Sequence, residues 1–195
     1  MKRLVLVLLL SVWLYETPIR CEEVAAEVEK LATLADKLEQ AKSVEEMDRL
    51  ARSAAEQRAL FVGRVSMLLM TSSSIDVKAR ACYLLGEFRA ERAVNEVIKN
   101  IGLDMGARDS AKIPLWSQYP CVDALSDIGK PAERLLIGFI ASNDKKNLRE
   151  LALRALVYIN GFKHVPSILE DALASASGLE ATRLRQALEE LKHWP

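Results

Sequence analysis

Histidine occurs at two positions, His164 and His193, and cysteine at three, Cys21, Cys82 and Cys121. A zinc site needs donors that converge, commonly two of them three or four residues apart, and neither histidine is followed by a second ligand at that spacing. Both read as solvated side chains. The carboxylate pairs Glu45-Glu46 and Glu189-Glu190 are sequence neighbours on polar helix faces, where nothing raises one pKa for acid catalysis. Asp104 and Asp109, in Leu103-Asp104-Met105-Gly106-Ala107-Arg108-Asp109-Ser110, lack calcium-loop spacing and read as a polar connector. Glycine-rich phosphate loops, nucleophile elbows and Cys/His pairings are absent from the sequence. The expectation is a protein that is not an enzyme, with no catalytic residue, no cofactor and no metal ligand.

What remains is chemistry of recognition. Between Ile101 and Cys121 a polar stretch with Arg108 and Asp109 leads into Ile113-Pro114-Leu115-Trp116 and on to Tyr119-Pro120. Trp and Tyr anchor protein interfaces out of proportion to their number. Trp116, Tyr119, Arg108 and Asp109 are therefore the candidate partner-binding residues. The competing reading is that these aromatic side chains fold back and fill a gap between structural units.

The elements that must carry these residues are helical. Half of the 195 residues are apolar, Gly and Pro are scarce, and Ala, Leu and Glu abound, which indicates an all-α chain able to bury one good core. Lys plus Arg and Asp plus Glu stand at 27 each, so there is no basic footprint for nucleic acid and no pull toward a polyanionic substrate.

Met1-Lys2-Arg3 followed by the apolar run Leu4 to Tyr15 has the order of a secretory signal, and at ~1.5 Å per residue the run is short for a bilayer core of ~30 Å. Residues 1–20 are read as a signal peptide, or as a short uncleaved anchor, because no small-x-small triplet follows. The mature chain would be nearly neutral and secreted or periplasmic, with no membrane contact beyond the N-terminal segment.

Residues 21–71 read as an N-terminal helical hairpin. Val24, Val28, Leu31, Ala35 and Leu38 step by four and three along one helix. Ser43-Val44-Glu45-Glu46 has the form of a capping box for a second helix, whose seam runs through Met47, Ala51, Phe61, Val65 and Leu68. That helix is expected to bend at Gly63 or to split near residues 57–59. After the polar breaker Thr71-Ser72-Ser73-Ser74, Asp76 is expected to cap the next one.

From there a pattern recurs. Ala81-Cys82-Tyr83-Leu84-Leu85-Gly86, Ala124-Leu125-Ser126-Asp127-Ile128-Gly129, Ala155-Leu156-Val157-Tyr158-Ile159-Asn160 and Ala187-Leu188-Glu189-Glu190-Leu191-Lys192 share a small residue, an apolar neighbour and a bulky apolar residue at the fifth place. One turn earlier stand Lys78, Cys121, Ala152 and Leu184, which puts Lys78 on the stripe as a snorkelling lysine. The sixth places, 43, 31 and 32 residues apart, hold Gly, Gly, Asn and Lys, and Gly and Asn suit a left-handed helix stop. Each of the first three is followed by a second apolar-periodic stretch, beginning at Ala93, Ala132 and Val165. Helical hairpins of this kind bury both faces only by stacking on neighbours.

Asp76-Val77-Lys78-Ala79-Arg80-Ala81, the Ala-x-x-x-Ile-Gly-Lys-Pro-Ala turn at 124–132 and the helix from Leu148 to Leu156 resemble HEAT repeats of the short bacterial and phycobilisome-lyase type. The resemblance covers residues 76–192. It implies a right-handed α-solenoid of stacked antiparallel helix pairs over 72–195, a monomer, whose conserved positions are packing positions. The last unit lacks a second helix, and Arg183, Arg185, Gln186, Glu189 and Glu190 would give it the polar outer face of a cap. In repeat register Cys82 and Cys121 lie one helical turn apart on apolar stripes. The expectation is two small core residues too far apart to bridge, although an oxidising compartment would permit a bond. Function is then expected to be that of a non-catalytic scaffold for a protein partner; the alternative implied by the resemblance is a lyase- or chaperone-like protein acting on a cofactor-bearing partner.

Overall fold

The computed structural model describes residues 21–40, 44–106 and 118–194. The expected signal segment, Ser43 of the capping box, and Arg108, Asp109 and Trp116 lie outside the described residues. Regular structure among the described residues is helical throughout, as the composition requires: α1 (Cys21–Gln40), α2 (Val44–Thr71), α3 (Ile75–Glu87), a 3-10 turn (Glu91–Ala93), α4 (Val94–Lys99), α5 (Pro120–Ile128), α6 (Lys130–Ser142), α7 (Lys146–Asn160), α8 (Val165–Ser175) and α9 (Gly178–Lys192). None of these helices is long and apolar enough to cross a membrane. The chain divides into two compact units, Met1–Val65 and Ser66–Pro195.

In the first unit Val28, Phe61 and Val65 are buried. The expected break in α2 does not occur. The helix runs unbroken through residues 57–59 and past Gly63, because one glycine costs a helix only ~1 kcal/mol against alanine, less than a buried seam returns.

The first helix cap of the second unit lies two residues before the position the sequence suggested. Ser74, not Asp76, is the N-cap of α3: its hydroxyl accepts from the Val77 amide at 3.4 Å, while Asp76 sits in the first turn. Lys78 is half-buried on α3, as expected, and extends its ammonium to the Asn100 side-chain oxygen at 3.4 Å. Equivalent positions Cys121, Ala152 and Leu184 are all buried.

Helices α3, α5 and α7 pack side by side in one row, with α4 and α6 behind α5. The most extensive helix–helix contact is that of α3 with α5. Gly86 is the reason: a Cβ there would stand 2.9 Å from the Cα of Ala124, so only glycine lets the two backbones approach this far. Gly86 therefore lies inside α3 as a packing residue. The left-handed stop expected of it falls instead on Arg89, at φ 45°. Gly129 does end α5, with φ 81° and ψ −141°, a mirror-image extended conformation that a side chain would oppose. At the third unit the positive φ belongs to Gly161, at 76°, one residue beyond Asn160.

Cys82 and Cys121 form a disulfide, with Cα atoms 5.1 Å apart, which corrects the expectation that they stand too far apart. Helices α3 and α5 run parallel but staggered by a turn, as the pairs Cys82–Cys121 and Gly86–Ala124 show, so a residue on α3 faces the α5 residue about one turn earlier in repeat register. The one-turn offset read as separation is the offset that brings the two sulfurs together.

Helix α9 departs from the row. Its sequence matches the first helices of the units, yet it packs mainly on α6 and α8 and touches α7 lightly. Its buried stripe is Ala181, Leu184, Ala187 and Leu191.

The packing makes three stability predictions. Leu125→Ala and Leu156→Ala, both at fully buried positions, should each cost ~2–5 kcal/mol by denaturant unfolding, whereas Ser126→Ala, losing one hydroxyl bond to the Val122 carbonyl, should cost under ~1 kcal/mol. Gly86→Ala should destabilise by ~1–3 kcal/mol through overpacking against Ala124, an effect absent in Gly63→Ala, whose added carbon would meet nothing within 4 Å. Reducing the Cys82–Cys121 bond, whose ends are 39 positions apart in sequence, should remove roughly 2–4 kcal/mol by freeing the unfolded chain.

Candidate functional site

The exposed face of α7 presents Lys146, Asn147, Glu150, Leu151 and Arg154 at the one- and four-residue steps of a single helical face. These residues floor a trough of about 930 Å³. One wall is the C-terminal half of α9, with Gln186 and Glu190, and Trp194 just beyond it; the other holds Gly102, Asp104 and Tyr119, from the described ends of the connection between α4 and α5. Tyr119 is the one candidate recognition residue of the sequence that is described, and it lies in this wall, half-buried.

Local structure explains how each wall is held. At the α4–α5 side, the Met105 amide donates to the Gln118 carbonyl at 2.9 Å, which closes the two ends of the connection on each other. Asp104 accepts from the Gly106 amide at 2.7 Å and from the Gln118 amide nitrogen at 3.3 Å. Tyr119 immediately precedes Pro120, which occupies the first turn of α5 where a missing N–H does no harm.

The α9 side is held by two arginines. Arg149, the one buried charged residue among those described, donates to the carbonyls of Asn143 and Asp144, each at 3.1 Å, and to Gln186 Oε1 at 3.0 Å. Arg183 donates to the carbonyls of Ala141 and Ser142, at 3.1 and 2.9 Å, and pairs with the Asp144 carboxylate. Both guanidiniums thus saturate the C-terminal end of α6, where helix carbonyls lack partners and the dipole favours cations. This revises the reading of α9 for Arg183 alone, which is half-buried against the α6–α7 turn, whereas Arg185, Gln186 and Glu189 are exposed as expected, Gln186 while accepting from Arg149.

Charge within the trough is matched in part. Lys146 stands 3.5 Å from Glu150 and 3.7 Å from Glu190. Glu189 takes a hydrogen bond from Lys192 at 2.7 Å, and this bond, with the charge behind it, holds its carboxyl below the usual range. His193 lies 3.5 Å from the same Glu189 and is exposed, as is His164. Arg154 is different. Its guanidinium lies over the Tyr119 ring, 5.9 Å from the centroid, and among the described residues it has no carboxylate partner.

A second groove of about 640 Å³ runs between α4, α6, α8 and α9, lined mainly by apolar side chains such as Ile98, Leu135, Phe139 and Leu184. On the other face, Tyr83, Glu87, Asp123 and Asp127 make an acidic edge where α3 meets α5. Burial pushes the Asp127 carboxyl up, and Glu87 and Asp123 add to the effect while Arg89 opposes it. The residue is exposed as a whole, but its Oδ2 lies against α3, 3.1 Å from where a Gly86 side chain would begin. Tyr83 is raised by burial and by Glu87.

No family model and no curated protein matches the chain.

The acidic edge makes a pH prediction. Because the folded state holds the Asp127 carboxyl above its unfolded value, ionising it opposes folding; the penalty is absent below the ordinary Asp range near ~3.9, grows as pH rises, and is complete above the folded pKa. Asp127→Asn should therefore be more stable than the wild type at neutral pH. Unfolding curves recorded over a pH series should show the difference shrinking to nothing as pH falls through the carboxylate range.

Proposed function

We propose that this chain is an exported, non-catalytic scaffold that binds a protein partner in the trough above α7. The observation that carries the reading is the combination of a concave surface with an aromatic side chain in each wall, Tyr119 and Trp194. Interfaces are anchored by such residues in sheltered positions, and large concave clefts are where ligands lodge. The row of α3, α5 and α7 backed by α4 and α6 supports the view that residues 72–195 form a short right-handed solenoid of HEAT type, with α9 as its terminal cap. Export is favoured by the basic and apolar order of residues 1–15, and the Cys82–Cys121 bond fits an oxidising compartment.

The test uses the full chain produced in its own host. Affinity capture from the cell envelope should retain a partner with the wild type and lose it with Tyr119→Ala combined with Trp194→Ala, at a melting temperature within a few degrees of the parent. Retention by the double variant would remove the trough from consideration. N-terminal sequencing of the recovered protein should find a start beyond about residue 15; a cytosolic chain beginning at Met1 would end the export reading.

A further inference from the structure

Helix α3 ends the row, and within the second unit its one extensive contact among the described residues is with α5. Cys82 and Gly86 meet Cys121 and Ala124 there, four small and buried residues that bring the backbones close but hide little apolar area. Charge opposes the same contact along its edge. Asp127 of α5 lies within electrostatic reach of two further carboxylates, Glu87 across the contact and Asp123 on its own helix, and its Oδ2 lies against α3. The cation that offsets them is Arg89, in the turn after α3. Tyr83, also on α3, gives its hydroxyl to Glu87, and Lys130 of α6 is engaged by Glu133 and Asn160.

We propose that α3 is a redox-released latch: the Cys82–Cys121 bond holds it on α5, and once a dithiol reductant cuts the bond the facing carboxylates favour its departure. The exchange is balanced. The dithiol gives up two electrons and two protons and becomes a disulfide itself, leaving one thiol on Cys82 and one on Cys121. Both cysteines are fully buried, so an attacking thiolate reaches the bond only when α3 lifts transiently. While the bond stands, the tie limits that lift. With the bond cut, α3 leaves as a unit ahead of α6 and α8, each of which packs on α9. Like-charge pairs at an exposed edge are individually weak, but a crossing of small residues has little apolar burial to set against them.

Hydrogen–deuterium exchange of the full chain at neutral pH, read by mass spectrometry with and without excess dithiothreitol, tests the latch. In the oxidised chain the slowest amides of α3 should exchange at rates close to those of α6. On reduction α3 should run ahead of α6 by about 10- to 100-fold, the gap that marks a local opening. Cys82→Ala combined with Cys121→Ala should show the same gap with no reductant present. In the reduced chain Asp127→Asn should slow the exchange of α3 by about 2- to 5-fold, because it removes the charge that faces Glu87 and Asp123. Helix α3 already ahead of α6 before reduction, the two exchanging together after it, or no gap in the double-cysteine variant would each overturn the latch. Reduced Asp127→Asn exchanging like the reduced parent would overturn it too, since the carboxylates would then play no part in the release.

Discussion

The contact between α3 and α5 is the constraint on which the second unit depends. A helix pair in which one backbone comes to within 2.9 Å of a notional side chain on the other leaves no room for ordinary residues at the crossing, so Gly86 and Ala124 are dictated together. Such close approach gathers many weak dispersion contacts along both helices, and it places Cys82 and Cys121 within bonding reach. With α5 fixed against α3, its other side is free to receive α7, whose Ala152 and Ala155 are both fully buried. The floor of the trough is the far face of that same α7.

Much of this was legible in the sequence, because apolar periodicity reports which face of a helix is buried. The extent of α1 and the buried status of Leu125, Leu156 and the Cys121 position all follow from the stripe. What periodicity does not report is the object on the other side. Gly86, Gly129 and Asn160 occupy one column of the repeat pattern and have three different tasks: Gly86 admits a neighbouring backbone, Gly129 turns the chain through positive φ, and Asn160 closes a helix whose turn is made by Gly161. A small residue in a pattern records a lack of volume, and the lack can serve packing or dihedral freedom equally well. The disulfide was missed for a related reason. Aligned repeats give equivalence, whereas contact depends on the stagger between helices, which no single-sequence pattern contains.

Helix α9 shows the same limit at the scale of a whole element. Its stripe of Ala181, Leu184, Ala187 and Leu191 would suit a place beside α7 in the row, and no third helix of the sequence forbids that. The competing site behind α6 offers something the row does not: a helix C-terminus with unpaired carbonyls, close to hand for two long cationic side chains. Arg183 and Arg149 satisfy four such carbonyls between residues 141 and 144. Charge-assisted bonds to an otherwise unpaired helix end are each stronger than a neutral bond, and here they tip an amphipathic helix with two available beds toward one of them.

The trough was the least legible feature, since Lys146, Asn147, Glu150 and Arg154 on one helical face read as solvated surface. Only Tyr119 carried a signal, through its residue type and its position after an irregular spacing. Its setting explains why that signal matters. Two residues on from Tyr119, Cys121 is bonded to α3, and one residue before it, Gln118 is hydrogen-bonded back to Met105. The ring is therefore held between a covalent tie and a backbone bond, and cannot shift without disturbing the α3–α5 contact. The Arg154 guanidinium, 5.9 Å from the centroid of a ring so placed, therefore lies over a fixed part of the fold. The contact that organises the helices thus also fixes the ring over which Arg154 lies.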